Sequence, residues 1–227
     1  MPFINPYNGN MGNPSPRFRA VFFDFDGTLA DSYPAITASL NHVRACHGLP
    51  PLPEADVRPF VGRGLEHLLE DCVPGSDIPV DVQRYREHHP SVLRSGTKLL
   101  PGAGEAVTAL HQAGLKLAVC SNKPARFTRE LVQIVGLAAC IELTLGPEDV
   151  ANIKPAPDML LEGMRRLRVG PAESLYIGDM VVDIRTARAA GVEVWAVPTG
   201  SEERPALEAA APDRLLSSVA ELPALIL

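Results

Sequence analysis

The chain has 227 residues, 46% of them apolar and 21% charged, with a formal net charge of -6 and a pI near 5.5. That balance suits a folded globular protein and excludes the basic face with which a non-specific nucleic-acid binder meets phosphates. No run of about 18 apolar residues occurs, so no membrane span is expected. The four cysteines, Cys46, Cys72, Cys120 and Cys140, form neither a CxxC pair nor a Cys/His metal spacing, and read as unpaired thiols of a reducing cytoplasm.

The first sixteen residues, MPFINPYNGNMGNPSP, are rich in Pro, Asn and Gly and lack the basic start and apolar middle of a signal peptide. They are expected to form a flexible arm over 1–16. From Arg19 onward, short β-rich runs alternate with helical patterns. AVFFDF (20–25), LKLAVCS (115–121), IELTL (141–145), SLYIGD (174–179) and VEVWAV (192–197) read as buried strands. Helices are expected over 104–114, 124–136, 157–169 and 181–191. Two of these open on proline and three close on glycine, the residue that ends helices in the left-handed conformation. Strand then helix, repeated, predicts an α/β fold: a doubly wound, Rossmann-like parallel sheet covered on both faces.

One block breaks the rhythm. Residues 32–99 contain no convincing strand, while PAITASLNHVRACHG, GLEHLLEDC and VDVQRYREHHPSVL carry helical spacing. The chain is therefore expected to divide into a catalytic core, 17–31 plus 100–227, and a helical domain, 32–99, inserted after the first strand. Its expected hinges are Asp31–Tyr33 and Gly96–Pro101.

Open parallel sheets bind ligands at the carboxyl ends of their strands, and the polar residues there can be read directly. The first strand ends in Asp24 and Asp26, the second in Ser121 and Asn122. Lys154 follows the third, and Asp179, with Asp183 four residues on, ends the fourth. Carboxylates, a hydroxyl–amide pair and one ammonium suit a divalent cation and a phosphate. A carboxylate that attacks a phosphate ester meets like charge, and Mg²⁺ held by oxygen ligands offsets the repulsion. Lys154, Ser121, Asn122 and the backbone N–H groups after Asp24 supply further phosphate contacts. Alternate residues of an extended strand share a face, which lets Asp24 and Asp26 look into one site, and Gly27 permits the tight turn that follows. Asp24 is assigned attack on phosphorus, and Asp26 proton transfer to the leaving oxygen and then from water.

These motifs, DFDGT (24–28), Ser121 in CSNK, Lys154 in KPAP and GDMVVD (178–183), resemble those of haloacid dehalogenase superfamily phosphatases with a helical cap, phosphoglycolate phosphatases in particular. The resemblance spans roughly residues 18 to 222. It implies Mg²⁺ bound by Asp24, the backbone oxygen of Asp26 and Asp179, with Asp183 supporting the site from behind or through water. It implies that Thr28 contacts phosphate or orients Asp26. Residues 32–99 would be the cap, and VGRGLEHLL (61–69) its substrate loop, with Arg63, beside Gly64, set against a substrate carboxylate or second phosphate. Met180 departs from the pattern, since many members carry Thr or Ser there. The expected enzyme is a cytoplasmic Mg²⁺-dependent phosphatase of a small phosphorylated metabolite, phosphoglycolate first, acting as monomer or homodimer. Asp26 disfavours dehalogenation. A phosphomutase of the β-phosphoglucomutase type keeps both acids, and a non-catalytic phosphate-binding or receiver protein shares the aspartate, hydroxyl and lysine; both stay open at this point.

Overall fold

The computed structural model describes residues 17–227, so the expected arm over 1–16 lies outside the described residues. The strands are β1 (Ala20–Phe23), β2 (Ala30–Asp31), β3 (Lys98–Leu99), β4 (Lys116–Cys120), β5 (Leu143–Leu145), β6 (Ser174–Gly178), β7 (Glu193–Ala196) and β8 (Arg214–Leu215). Six of them form one sheet in the order β5-β4-β1-β6-β7-β8, and every pairing in it is parallel. The chain starts in the middle, runs outward through β4 and β5, then returns to lay β6, β7 and β8 on the other side. That reversal creates the crevice in which such sheets hold ligands.

Strand alternation builds two cores. Val21 and Phe23 of β1, Leu117 and Val119 of β4, and Leu175 and Ile177 of β6 pack in one cluster. Their neighbours Phe22, Ala118, Cys120 and Tyr176 pack in the other, on the opposite face. Both faces are dry, so these strands read as unbroken apolar runs. Each large apolar side chain withdrawn from water contributes about 1.5–3 kcal/mol before conformational entropy is subtracted.

Between β2 and β3 the chain makes α1 (Tyr33–Cys46), α2 (Glu54–Val57), α3 (Leu65–Cys72) and α4 (Ile78–His88), followed by a 3-10 turn over His89–Ser91. Their apolar stripes, with Ile36, Leu40, Leu69 and Tyr85 among them, meet in a third cluster of their own. The core helices are α5 (Ala103–Gln112), α6 (Ala125–Ile134), α7 (Asp158–Leu167) and α8 (Val181–Ala189), with two shorter ones, α9 (Arg204–Ala210) and α10 (Leu222–Ile226). The glycines after α5, α6 and α8, Gly114, Gly136 and Gly191, all take positive φ, as the helix-ending pattern requires.

Three details differ from the expectation. The first strand ends at Phe23, before either aspartate. The hinges form a short antiparallel ribbon, Ala30 opposite Leu99 and Asp31 opposite Lys98, too brief to leave a periodic signal. A sixth core strand, β8, is likewise only two residues long. Three cysteines are buried, Cys46 is exposed, and all four are free. Among the described residues no helix is long and apolar enough to cross a membrane.

Candidate active site

Asp24 and Asp26 leave the sheet through a tight turn. The Asp24 N–H donates to Ile177 O at 2.9 Å, continuing the ladder one residue past β1. The chain then folds back: Leu29 N and Ala30 N both donate to Phe25 O, and Gly27 N donates to Ala30 O at 2.8 Å. Gly27 has φ +85°, and a Cβ there would stand 2.6 Å from Gly200 Cα and 2.7 Å from Asp179 Oδ2. Both the backbone angle and the crowding demand glycine. Both acids line one cavity, Asp24 still in register with the sheet and Asp26 just before the turn.

The turn gives the acids different partners. Asp24 Oδ1 accepts from Lys154 Nζ at 2.9 Å. Asp26 Oδ2 accepts from Lys123 Nζ at 3.2 Å, and its Oδ1 accepts from the Ser32 hydroxyl. Both acids are buried, at 4% and 8% exposure.

Lys154 Nζ also donates to Asp183 Oδ1 at 2.7 Å and to the Tyr176 hydroxyl at 3.1 Å. Burial alone would lower the Lys154 pKa, but the charges and hydrogen bonds of Asp183 and Asp24 outweigh it and hold the ammonium above its ordinary value. Asp179 accepts from the Thr28 hydroxyl at 2.8 Å and from Ser201 N–H at 3.0 Å. Burial, with Asp24 and Asp183 close by, holds its carboxyl well above the usual carboxylate range. Asp183 is raised as well, first by burial; Lys154 opposes the rise. Its Oδ2 accepts from Met180 N–H at 3.1 Å at the start of α8.

Asp24, Asp179 and Asp183 each offer a carboxylate oxygen within 4.8 Å of the others. Lys154 bonds two of these three buried acids directly, Asp24 and Asp183, while Asp179 is met by Thr28 and Ser201 N–H. An all-oxygen donor set with excess negative charge fits a hard divalent cation of the Mg²⁺ class. The Asp26 carboxylate lies outside that set, committed to Ser32 and Lys123.

Beside the acids lies a cavity of about 50 Å³, roughly the space of three or four waters, lined from both the sheet and the inserted helices. Asp24, Asp26, Ser121 and Lys123 line its floor, and Gly64 lies in its cap-side wall. Asn122 also borders it, yet its side-chain amide is engaged: Nδ2 donates to Gly62 O and Lys154 O, and Oδ1 accepts from Lys154 N–H. It therefore ties the loop at Gly62 to the Lys154 loop. Thr28, expected on phosphate or Asp26, donates to Asp179 instead. Arg63 points away from this cavity. It pairs with Asp71 and lines a separate groove with His67, Met180 and Arg185. Gly62 rests directly on the Met180 side chain.

Sequence reasoning missed Lys123, Ser32 and Tyr176. Lys123 stood within the quoted CSNK, where only Ser121 and Asn122 were singled out. Ser32 read as a hinge residue, and Tyr176 as one more apolar position of a buried strand.

Just past the end of its central strand, a doubly wound parallel sheet thus carries two buried carboxylates beside a lysine and two further acids. The family model for haloacid dehalogenase-like hydrolases matches residues 21–197, and the chain belongs to that family. A phosphoglycolate phosphatase of Cupriavidus necator is 32% identical over 213 residues, covering 91% of this chain and 92% of the relative. An N-acetylmuramic acid 6-phosphate phosphatase of Pseudomonas aeruginosa is 35% identical, covering 84% and 87%. A solved haloacid dehalogenase-like hydrolase from Bacteroides fragilis superposes with a TM-score of 0.84 at 29% identity, over 90% of this chain and 99% of that one. The chain is a phosphatase of this family, similar to phosphoglycolate phosphatases.

Proposed function

We propose that this phosphatase hydrolyses small organic phosphomonoesters through an aspartyl-phosphate formed on Asp24, with Mg²⁺ as cofactor. The observation that supports this reading best is the separation of the two adjacent acids. Asp24 is set among Lys154, Asp179 and Asp183, and Asp26 between Lys123 and Ser32. An Asp24 carboxylate oxygen forms a bond to phosphorus as the P–O bond to the organic group breaks. Asp26 delivers its proton to that leaving oxygen. In the second half-reaction Asp26 takes a proton from water, the water oxygen bonds to phosphorus, and the Asp24–phosphorus bond breaks to release inorganic phosphate. Asp24, Asp179, Asp183 and the Asp26 backbone oxygen would hold the Mg²⁺, which supplies positive charge against the phosphate oxygens. Ser121 and the Lys154 ammonium hold those oxygens in line, while the Gly27 and Thr28 N–H groups close the turn by donating to Ala30 O and Phe25 O. Residues 32–99 act as a cap that excludes water during transfer.

Phosphoglycolate is the first substrate to assay, given the relatives' names, and the cytoplasm is the expected location. The test is phosphate release with and without Mg²⁺. Asp24→Asn should abolish turnover, and Asp26→Asn should slow both half-reactions. Near-normal activity in Asp24→Asn would overturn the nucleophile assignment. Product analysis with sugar 1-phosphates separates hydrolysis from phosphomutase action, and a phosphoprotein that never turns over would indicate a receiver.

A further inference from the structure

Two consecutive residues at the start of the inserted helices reach toward the acids. The Ser32 hydroxyl donates to Asp26. Tyr33, the first residue of α1, reaches Asp179 through one intermediary in the core. Its hydroxyl is 2.9 Å from the Ser201 hydroxyl, and the Ser201 N–H donates to Asp179 Oδ2 at 3.0 Å.

The buried Tyr33 side chain is held along its whole length. Its backbone N–H donates to Asp31 Oδ1 at 3.3 Å. The Arg58 guanidinium lies over its ring, 3.9 Å from the centroid, in the attractive arrangement of a cation on an aromatic face. Glu54 holds that guanidinium in turn, at 3.1 Å. The hydroxyl end meets the core. A Cβ on Gly27 would stand 2.5 Å from the Tyr33 hydroxyl and 2.7 Å from Asp179 Oδ2, so the phenol and the carboxylate crowd the same glycine.

The loop between them, Thr199 to Ser201, packs directly on the acid: a Cβ on Gly200 would overlap the Asp179 carboxylate. Among the described residues three hydrogen bonds fix this loop. The Thr199 hydroxyl donates to Gly27 O at 2.7 Å, the Ser201 N–H bonds Asp179, and the Ser201 hydroxyl meets Tyr33. The first two lie within the core, and the third comes from α1. Groups that orient a metal-binding side chain from behind typically contribute about 10- to 100-fold to metal affinity or activity.

We propose that Tyr33 is a positioning residue through which the inserted helices set the cation site: its hydroxyl holds Ser201, and Ser201 holds Asp179 Oδ2 in place for Mg²⁺. This deepens the proposed function and rests on its assignment of Asp179 to the metal. With Ser32 on Asp26, the seating of α1 then orders the proton-transfer acid and a metal-binding acid together. The site holds its cation most tightly when the inserted helices are in place.

The test compares the parent, Tyr33→Phe, Ser201→Ala and the double variant by calorimetric titration with Mg²⁺ in the absence of substrate. Tyr33→Phe keeps the ring beneath Arg58, and Ser201→Ala keeps the N–H that Asp179 accepts. Each single variant should raise the Mg²⁺ Kd by about 10-fold, the low end of the range for such orienting groups. The double variant should bind no more weakly than either single one, because all three break the same link. Single variants that bind within about twofold of the parent overturn the proposal, and if their metal-free Tm has fallen, Tyr33 is a packing residue. Effects that multiply in the double variant also overturn it, since Tyr33 and Ser201 would then act separately. Should Tyr33→Phe fail to fold, Ser201→Ala decides alone by its Mg²⁺ Kd. A parent that binds no Mg²⁺ would overturn the cofactor reading and this inference with it, whereas equal binding by parent and variants overturns the inference alone.

Discussion

Replacing Lys154 by methionine keeps the stem and removes the charge, and the structure gives the consequence a size. Its ammonium is within 2.7–3.1 Å of Asp183, Asp24 and Tyr176, and the residue is 4% exposed. Solvent cannot replace what is lost, so the change leaves buried carboxylates facing one another. Breaking such a pair from one side costs about 3–5 kcal/mol. For a chain of this size each kcal/mol moves Tm by about 2–4 °C, giving a fall of about 6–20 °C in metal-free buffer. Mg²⁺ should recover part of it, because a cation at Asp24, Asp179 and Asp183 answers the same excess charge, and a ligand at 100 times its Kd adds about 2.7 kcal/mol. The assay is a pair of thermal melts, with and without Mg²⁺, on both proteins. The variant should show the larger metal-induced rise and little phosphatase activity. A variant that melts within about 2 °C of the parent in metal-free buffer refutes the reasoning, because Lys154 would then not be the charge that holds the acids together.

Asp179→Asn keeps acceptors for Thr28 and Ser201 but removes one of the crowded charges. With the folded pKa of Asp179 raised above its unfolded value, the native state holds the extra proton between the two. Metal-free stability then declines as pH rises through that window. The variant should flatten this decline above the ordinary carboxylate range and lose the Mg²⁺-induced rise in Tm; an unaltered slope in the melts counts against the assignment. Lys123→Met releases one of the two groups that orient Asp26, and kcat should fall by about 10- to 100-fold with metal-induced stabilisation intact, as paired kinetics and melts will show. Gly62→Ala places a methyl into the Met180 sulfur at a backbone angle of φ +112°. It should lower kcat/KM more than Tm, and adding Met180→Ala should restore part of the rate. A double variant no faster than the single would show that Met180 is not the obstacle.

The sheet was legible because its strands are buried on both faces, so 20–23, 116–120 and 174–178 stand out as apolar runs between polar turns. Strands β2, β3 and β8 were not, since two residues carry no period. Each acid of the site announced itself as a charge at the end of an apolar run, which has no packing explanation. Lys123, Ser32 and Tyr176 lacked that contrast: a lysine or serine in a polar loop is ordinary, and a tyrosine in a strand is expected core. Arg63 is the converse case. A Gly-flanked arginine in a loop points to a ligand, but the sequence does not show that Asp71, two helical turns on, can pair with it.

What the coordinates add is the reason two neighbouring aspartates can perform different chemistry. Identical side chains two residues apart acquire distinct roles only if their surroundings differ, and here they differ. Asp24 meets Lys154, which also bonds Tyr176 and Asp183. Asp26 meets Lys123 and Ser32, the residue that precedes α1. One acid is thus held by the sheet, and the other partly by the residue just before the inserted helices. On the proposed mechanism, the nucleophile is fixed by the rigid core, while the proton-transfer group is oriented by the segment that must settle over the leaving group before a proton is needed.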